Sequence, residues 1–247
     1  MPELEPADGR RPVTVDDEVP ARVLAVYAHP DDPEVSSAGT LARWARAGSE
    51  VHLVIGTRGD KGTDDPATDP DELAATRQAE TEAAAALLGF AGCESLGHPD
   101  GELDDTRELR AELVGRIRGL RPDAVVGPDP TAVFFGSTYV NHRDHRQLGF
   151  ALIDAVSPAA GSPLYFPERG AAHQVSRLYL SGTLEPDTWV DIDDTLELKV
   201  AALGCHVSQL GDDADVVGEV VRTRAAEVGR TAGLAHAEAF RLLRLAP

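Results

Sequence analysis

The sequence predicts an α/β fold, a Rossmann-like, mostly parallel sheet with helices on both faces. Short, nearly continuous apolar runs rich in valine alternate along the chain with amphipathic or alanine-rich segments. The strand-like runs at 22–28, 51–55 and 123–127 have Gly, Pro or Asp close by, where the chain must turn. The 247 residues suit one domain of ordinary α/β size, and 42% hydrophobic residues are enough for a sizeable core.

Each element has its own signal. Residues 1–20 are rich in Pro, Asp and Glu and lack periodicity, so they read as a flexible acidic arm ahead of a single domain over 21–247. The run 22–28 reads as a buried parallel strand. A helix follows over 33–48, with Pro33 in its first turn and Gly48 at its stop. A second buried strand spans 51–55, and the polar, Gly/Asp/Pro-rich stretch 57–70 is a loop. Residues 71–88 form a helix closed by Gly89, 92–97 a short strand, and 106–120 a helix stopped by Arg121-Pro122. The strand at 123–127 leads into a long loop over 128–142 and a helix over 144–156. Strands are expected at 174–181 and 188–192, and helices at 194–209, 216–229 and 235–244.

Charge narrows the function. Lys plus Arg is 23 against 42 Asp plus Glu, a formal charge of −19. That argues against nucleic acid and against anionic membrane surfaces, both of which need basic patches. The two cysteines, Cys93 and Cys205, are far apart and form no CxxC motif, so nothing suggests a disulfide framework or a cysteine-type zinc site, and a reducing cytoplasm is expected. No secretory h-region and no membrane-length apolar run is present. A small-molecule substrate is the expected partner, and a homo-oligomer stays open.

Two constellations carry chemistry. His29-Pro30-Asp31-Asp32 stands at the carboxyl end of the first strand, where open α/β sheets place ligands. Imidazole plus carboxylate suits zinc, and of two adjacent carboxylates one can bind the metal while the other stays free as a base. Asn141-His142-Arg143-Asp144-His145 also follows a strand and loop and opens a helix. His142 and His145, three apart, share a face of a helical turn, and Asp144 can orient an imidazole. Together the clusters supply three ligands and leave one coordination position for water, the catalytic arrangement. Taken singly, each cluster also fits helix capping or surface roles.

The residues AHPDDPEVSSAGTL (28–41) and NHRDHRQLG (141–149) resemble the two signature motifs of the PIG-L/LmbE-like zinc N-deacetylases. Lesser matches in the same order are TRGDKGT (57–63), TRQAETEAAAALLG (76–89), GHPDGEL (97–103), KVAALGCHVSQ (199–209) and HAEAFRLL (236–243). The resemblance implies hydrolysis of an N-acyl amide, usually N-acetyl, on an amino-sugar-containing small molecule. It implies one zinc held by His29, Asp32 and His145, and two histidines with one carboxylate also accept ferrous iron. Asp31 is implied as general base, His142 as the oxyanion-stabilising group, and Asp144 as the holder of a histidine. Arg77 and Asp100 match positions that reach substrate hydroxyls. A base beside a cation is expected to have a low pKa, and a protonated His142 is expected to face the oxyanion. Arg143 stands where the family has proline and is expected to point outward. Val140, with Tyr139 before it, stands where the family often has an aromatic. The loop 128–141 is expected to shape the substrate. The competing readings are an amidase acting on a larger thiol conjugate, a non-catalytic zinc- or sugar-binding module, and a nucleotide-binding Rossmann protein.

Overall fold

A computed structural model describes residues 13–245 of the chain. Residues 1–12 of the expected arm lie outside the described residues. The remainder of that arm is fixed to the fold: Thr14–Val15 (β1) pairs in parallel with Thr188–Asp191 (β9), and the buried Asp16 accepts a 2.7 Å bond from the Tyr179 hydroxyl.

The strands are Arg22–Tyr27 (β2), Glu50–Thr57 (β3), Gly92–His98 (β4), Ala124–Pro128 (β5), Phe134–Phe135 (β6), Tyr139–Val140 (β7), Arg177–Ser181 (β8) and Ala237–Arg244 (β10), besides β1 and β9. Eight of them form one sheet in the order β1-β9-β10-β8-β5-β2-β3-β4, while β6 and β7 form a separate hairpin. The pairings β2–β3, β2–β5, β3–β4 and β5–β8 are parallel, as the apolar runs require.

Side chains alternate across β2. Val23, Ala25 and Tyr27 enter a core with Leu41, Trp44, Tyr179 and Phe240, while Leu24 and Val26 enter the opposite core with Leu113, Leu148 and Leu152. Each fully buried valine or leucine here contributes about 1.5–3 kcal/mol. Burial on both faces is why these strands read as continuous apolar runs rather than alternating ones.

The helices are Asp32–Ser36 (α1), Ala38–Arg46 (α2), Pro70–Leu88 (α3), Arg107–Leu120 (α4), Arg143–Asp154 (α5), Leu196–Leu203 (α6), Val207–Leu210 (α7) and Ala214–Ala232 (α8). Local chemistry explains several ends. The Asp69 side chain accepts from the N–H groups of Asp71 and Glu72 at the start of α3, and Gly89 closes that helix with φ 78°. Thr106 caps α4 by accepting from Leu109 N. None of the helices among the described residues is long and apolar enough to cross a membrane.

Three expectations are corrected. The helix expected over 33–48 breaks at Ser37, whose φ/ψ of −139°/4° is not helical. The one expected over 194–209 breaks into α6 and α7 at the buried His206. The helix expected over 235–244 is strand β10, lying antiparallel between β8 and β9. Its Ala, Glu, Leu and Arg are good helix formers, but the slot between two strands supplies a full ladder of partners and overrides propensity.

Candidate metal and catalytic centre

The chain runs from β2 to β3 and β4 on one side, then returns to β5 on the other side of β2. This reversal makes the carboxyl ends of β2 and β5 a topological switch point, where the loops diverge and leave a crevice. His29 to Asp32 follow β2, and the segment that follows β5 leads into α5 at Arg143. The two constellations therefore meet although they are remote in sequence. Gly149 lets α5 approach, because a Cβ there would stand 2.8 Å from the Pro128 carbonyl.

Three of the expected ligand groups converge. His29 Nδ1 lies 3.2 Å from His145 Nε2, His145 Nε2 lies 3.1 Å from Asp32 Oδ1, and His29 Nδ1 lies 3.5 Å from Asp32 Oδ2. His29, Asp32 and His145 thus form a group able to hold a metal ion. Donors at about 2.0–2.2 Å from a common ion in a tetrahedral site stand roughly 3.3–3.6 Å apart, close to the spacing here. Asp32 is further fixed by accepting the His29 backbone N–H at 2.8 Å.

The surroundings favour a cation. The far nitrogen of His29, Nε2, faces Asp100 Oδ1 at 3.1 Å and Asp144 Oδ2 at 3.3 Å. Burial alone would lower the pKa of His29, but its bonds to Asp100, Asp144 and Asp32 outweigh this and push it up to about 12. Burial would likewise raise Asp32, yet the charges and hydrogen bonds of His145 and His29 hold it well below the usual carboxylate range. Carboxylates gathered around one imidazole leave excess negative charge that a divalent ion would neutralise. A carboxylate behind a ligating imidazole is also the usual support of a metal-bound histidine. The donor chemistry and the spacing both fit a single divalent ion.

Asp31 stands beside the donor set with its side chain turned elsewhere. Its φ of 86° is in the left-handed region, which costs a residue with a Cβ about 1–2 kcal/mol. The effect is to part the two carboxylates: Asp32 faces the histidines, while Asp31 Oδ2 accepts from Arg77 Nη2 at 3.2 Å. The low pKa expected for Asp31 is not what the protein's own groups produce. Burial first, then the neighbouring Asp32 charge, raise it to about 6 against the pull of Arg77.

His142 caps α5, and its Nδ1 accepts the Asp144 backbone N–H at 3.2 Å. That bond leaves the ring proton on Nε2. The ring stands 4.6 Å from that of His29, centroid to centroid. Burial and the charge of His29 lower its pKa, which favours a neutral imidazole with an Nε2–H donor over the imidazolium expected from the sequence. Arg143 points outward, as expected, and clamps the Leu103 carbonyl and the Asp104 carboxylate.

Asp144 holds a histidine, and that histidine is His29 rather than a neighbour in sequence. Wholly buried, it also accepts the N–H groups of Gly101 and Leu103 at 2.7 and 3.1 Å, tying the loop after β4 to the centre. Arg77 and Asp100, expected to reach substrate hydroxyls, are engaged within the protein. Arg77 is buried and donates to the carbonyls of Gly59 and Pro30 at 3.0 and 2.9 Å as well as to Asp31, and Asp100 pairs with His29.

Several further residues support the centre or lie buried near its elements, with contacts that their place in the sequence does not assign. Asn141 is buried; its Oδ1 accepts from His145 Nδ1 at 2.9 Å, and its Nδ2 donates to the Ala132 carbonyl at 2.7 Å. Its place directly ahead of the His-Arg-Asp-His run was the available signal. Asp60, in the TRGDKGT segment, accepts the Asp100 N–H at 2.9 Å and so positions Asp100. Glu34 and His206 are both wholly buried, with Oε2 and Nε2 3.3 Å apart but out of line for a hydrogen bond. No residue spacing could announce that pairing. His98 pairs with Glu112 and His52 with Glu50.

Residues 24–156 match the family described as PIG-L: GlcNAc-PI de-N-acetylase. The diacetylchitobiose deacetylase of Thermococcus kodakarensis is 35% identical over 90% of this chain and 83% of its own length. The 1D-myo-inositol 2-acetamido-2-deoxy-alpha-D-glucopyranoside deacetylase of Kineococcus radiotolerans is 28% identical over 89% of this chain and 77% of its own. Among solved structures, the N,N'-diacetylchitobiose deacetylase of Pyrococcus horikoshii superposes with a TM-score of 0.83 at 34% identity, covering 91% of this chain and 84% of that one.

Proposed function

The chain belongs to the PIG-L, or GlcNAc-PI de-N-acetylase, family, and from that membership we propose that it hydrolyses the N-acetyl amide of an amino-sugar-containing small molecule. The products are a free amine and acetate. The observation that carries the reading is the division of labour between two adjacent carboxylates. Asp32 belongs to the donor set, while Asp31 lies outside it and is free to move a proton.

His29, Asp32 and His145 would hold zinc, and ferrous iron suits the same donors. When bound, the ion would supply a Lewis acid for the amide oxygen and would acidify a water molecule. Asp31 takes the proton of the attacking water on its carboxylate. It then returns that proton to the departing amine nitrogen. His142 donates its Nε2–H to the oxyanion that develops on the amide oxygen. Asp144 and Asp100 keep the His29 ring oriented, Asn141 does the same for His145, and Arg77 fixes Asp31. These last four are positioning residues. Two free, half-buried cysteines are compatible with a reducing compartment, and we place the reaction in the cytoplasm.

The test is metal content and amine release from N-acetylglucosamine and N,N'-diacetylchitobiose, run beside an Asp31→Ala variant. About one zinc per chain, amine release by the wild type, and loss of release with zinc retained in the variant support the reading. Bound zinc without release from either sugar points to a different amide. An Asp31→Ala variant as active as the wild type removes Asp31 from the mechanism.

A further inference from the structure

The hairpin between β5 and α5 is uncharged and carries exposed aromatic side chains. From Pro130 to Asn141 there is no charged residue, in a chain where 26% of residues are charged. Yet the hairpin lies open: Phe134 is 64% exposed, Tyr139 52% and Val140 60%. Strands β6 and β7 pair Phe135 with Tyr139, and their rings lie 6.0 Å apart, so Tyr139 is braced by a second aromatic.

The hairpin is anchored to the catalytic centre at its base. Asn141 donates its backbone N–H to the Val133 carbonyl at 2.8 Å and its side-chain amide to the Ala132 carbonyl, while its Oδ1 holds His145. Tyr139 is three residues before His142, so their Cα atoms are within about 11 Å of each other. An exposed, braced aromatic thus stands at a fixed and short reach from the centre.

Its size argues for a small occupant. The three open side chains offer roughly 300 Å², against about 800 Å² per partner for a stable protein interface. A neutral segment in a strongly acidic chain suits a neutral ligand. A pyranose ring has an apolar C–H face that covers an aromatic ring and hydroxyls that reach past it to water. The tyrosine, with an apolar body and a polar tip, matches both.

We propose that Tyr139, braced by Phe135, is the platform for the sugar ring linked to the N-acetylated one, which makes the hairpin a subsite selecting disaccharides over monosaccharides. This rests on the amino-sugar deacetylase reading above.

The test compares kcat/KM for N,N'-diacetylchitobiose and N-acetylglucosamine in the wild type, Tyr139→Ala and Tyr139→Phe. The ratio of disaccharide to monosaccharide should fall about 3–10-fold in Tyr139→Ala and recover in Tyr139→Phe. Direct binding of the disaccharide to zinc-loaded protein, measured by calorimetry, keeps the two readings separate. Binding weakened in Tyr139→Ala while no enzyme form releases amine retains the subsite and overturns the deacetylase reading. An unchanged ratio together with unchanged binding overturns the subsite. A change of oligomeric state in Tyr139→Ala or Phe134→Ala, with the ratio unmoved, makes the hairpin a contact between copies of the chain and also overturns it.

Discussion

His29 Nδ1 and His145 Nε2 face each other at 3.2 Å across the ends of β2 and α5, each with its other ring nitrogen engaged by an oxygen acceptor. With both outer nitrogens donating, two neutral rings would present lone pairs to each other. A cation between them resolves that repulsion, in the form of a proton or a metal ion.

Metal loading should therefore stabilise the fold. At a free metal concentration about 100 times Kd the gain is about 2.7 kcal/mol, which raises Tm by roughly 5–10 °C for a chain of this size. Thermal melts with and without chelator measure it. His29→Ala and His145→Ala should lose both the bound metal and the shift. A chelator-insensitive Tm would argue against the site.

Asp31→Asn should keep the metal and lower kcat about 10²- to 10⁴-fold. The wild-type rate should rise with pH along a limb at or below about pH 6, because the base must be ionised and a bound dication would draw its pKa down. In chelated protein the same substitution should be stabilising above pH 6. A carboxyl raised from 3.8 to about 6 on folding costs stability progressively as pH climbs through that window, and the full cost stands above it. Asparagine also tolerates the left-handed backbone at this position. Melting curves at pH 4 and pH 8 check the sign, and a difference confined to pH 4 would contradict it.

His142→Ala should lower kcat about 10²- to 10³-fold with metal content unchanged, since the ring donates to the oxyanion without joining the donor set. Because its pKa is lowered by burial and by His29, the wild type should not lose activity as pH rises from 6 to 8 through deprotonation of this ring. Proton resonances of the imidazole followed against pH would locate its titration directly, and a value above 7 would restore the imidazolium.

Asn141→Ala should weaken metal affinity about 10- to 100-fold by freeing the His145 ring, even though Asn141 never touches the ion. Competition with a chromophoric chelator reads this out. Unaltered affinity would mean that the ring is held by helix α5 alone.

Gly62→Ala tests the support of the base from a distance. A Cβ there would run into Arg77 Nη1 and stand 2.8 Å from Gln209 Oε1. Displacing Arg77 removes the partner of Asp31, so kcat should fall about tenfold or more with KM and metal content little changed, and stability should drop about 1–3 kcal/mol. A full-rate variant would detach Arg77 from catalysis.

Local features are legible in the order of residues. The run 22–28 had to be a strand buried on both faces, and His29, Asp31 and Asp32 had to lie in the turn at its end. His142 and His145, three apart at a helix start, had to share a face. Which side chains face each other depends on how the segments pack. Asp144 serves His29, 115 residues away, rather than a neighbouring histidine. Arg77 lies behind Asp31, His206 meets Glu34, and residues of good helix propensity complete the sheet as β10. Periodicity and spacing report how each segment meets solvent and its own backbone. Contacts between segments follow from the order of strands in the sheet, which brought β5 beside β2 and so set one half of the centre against the other.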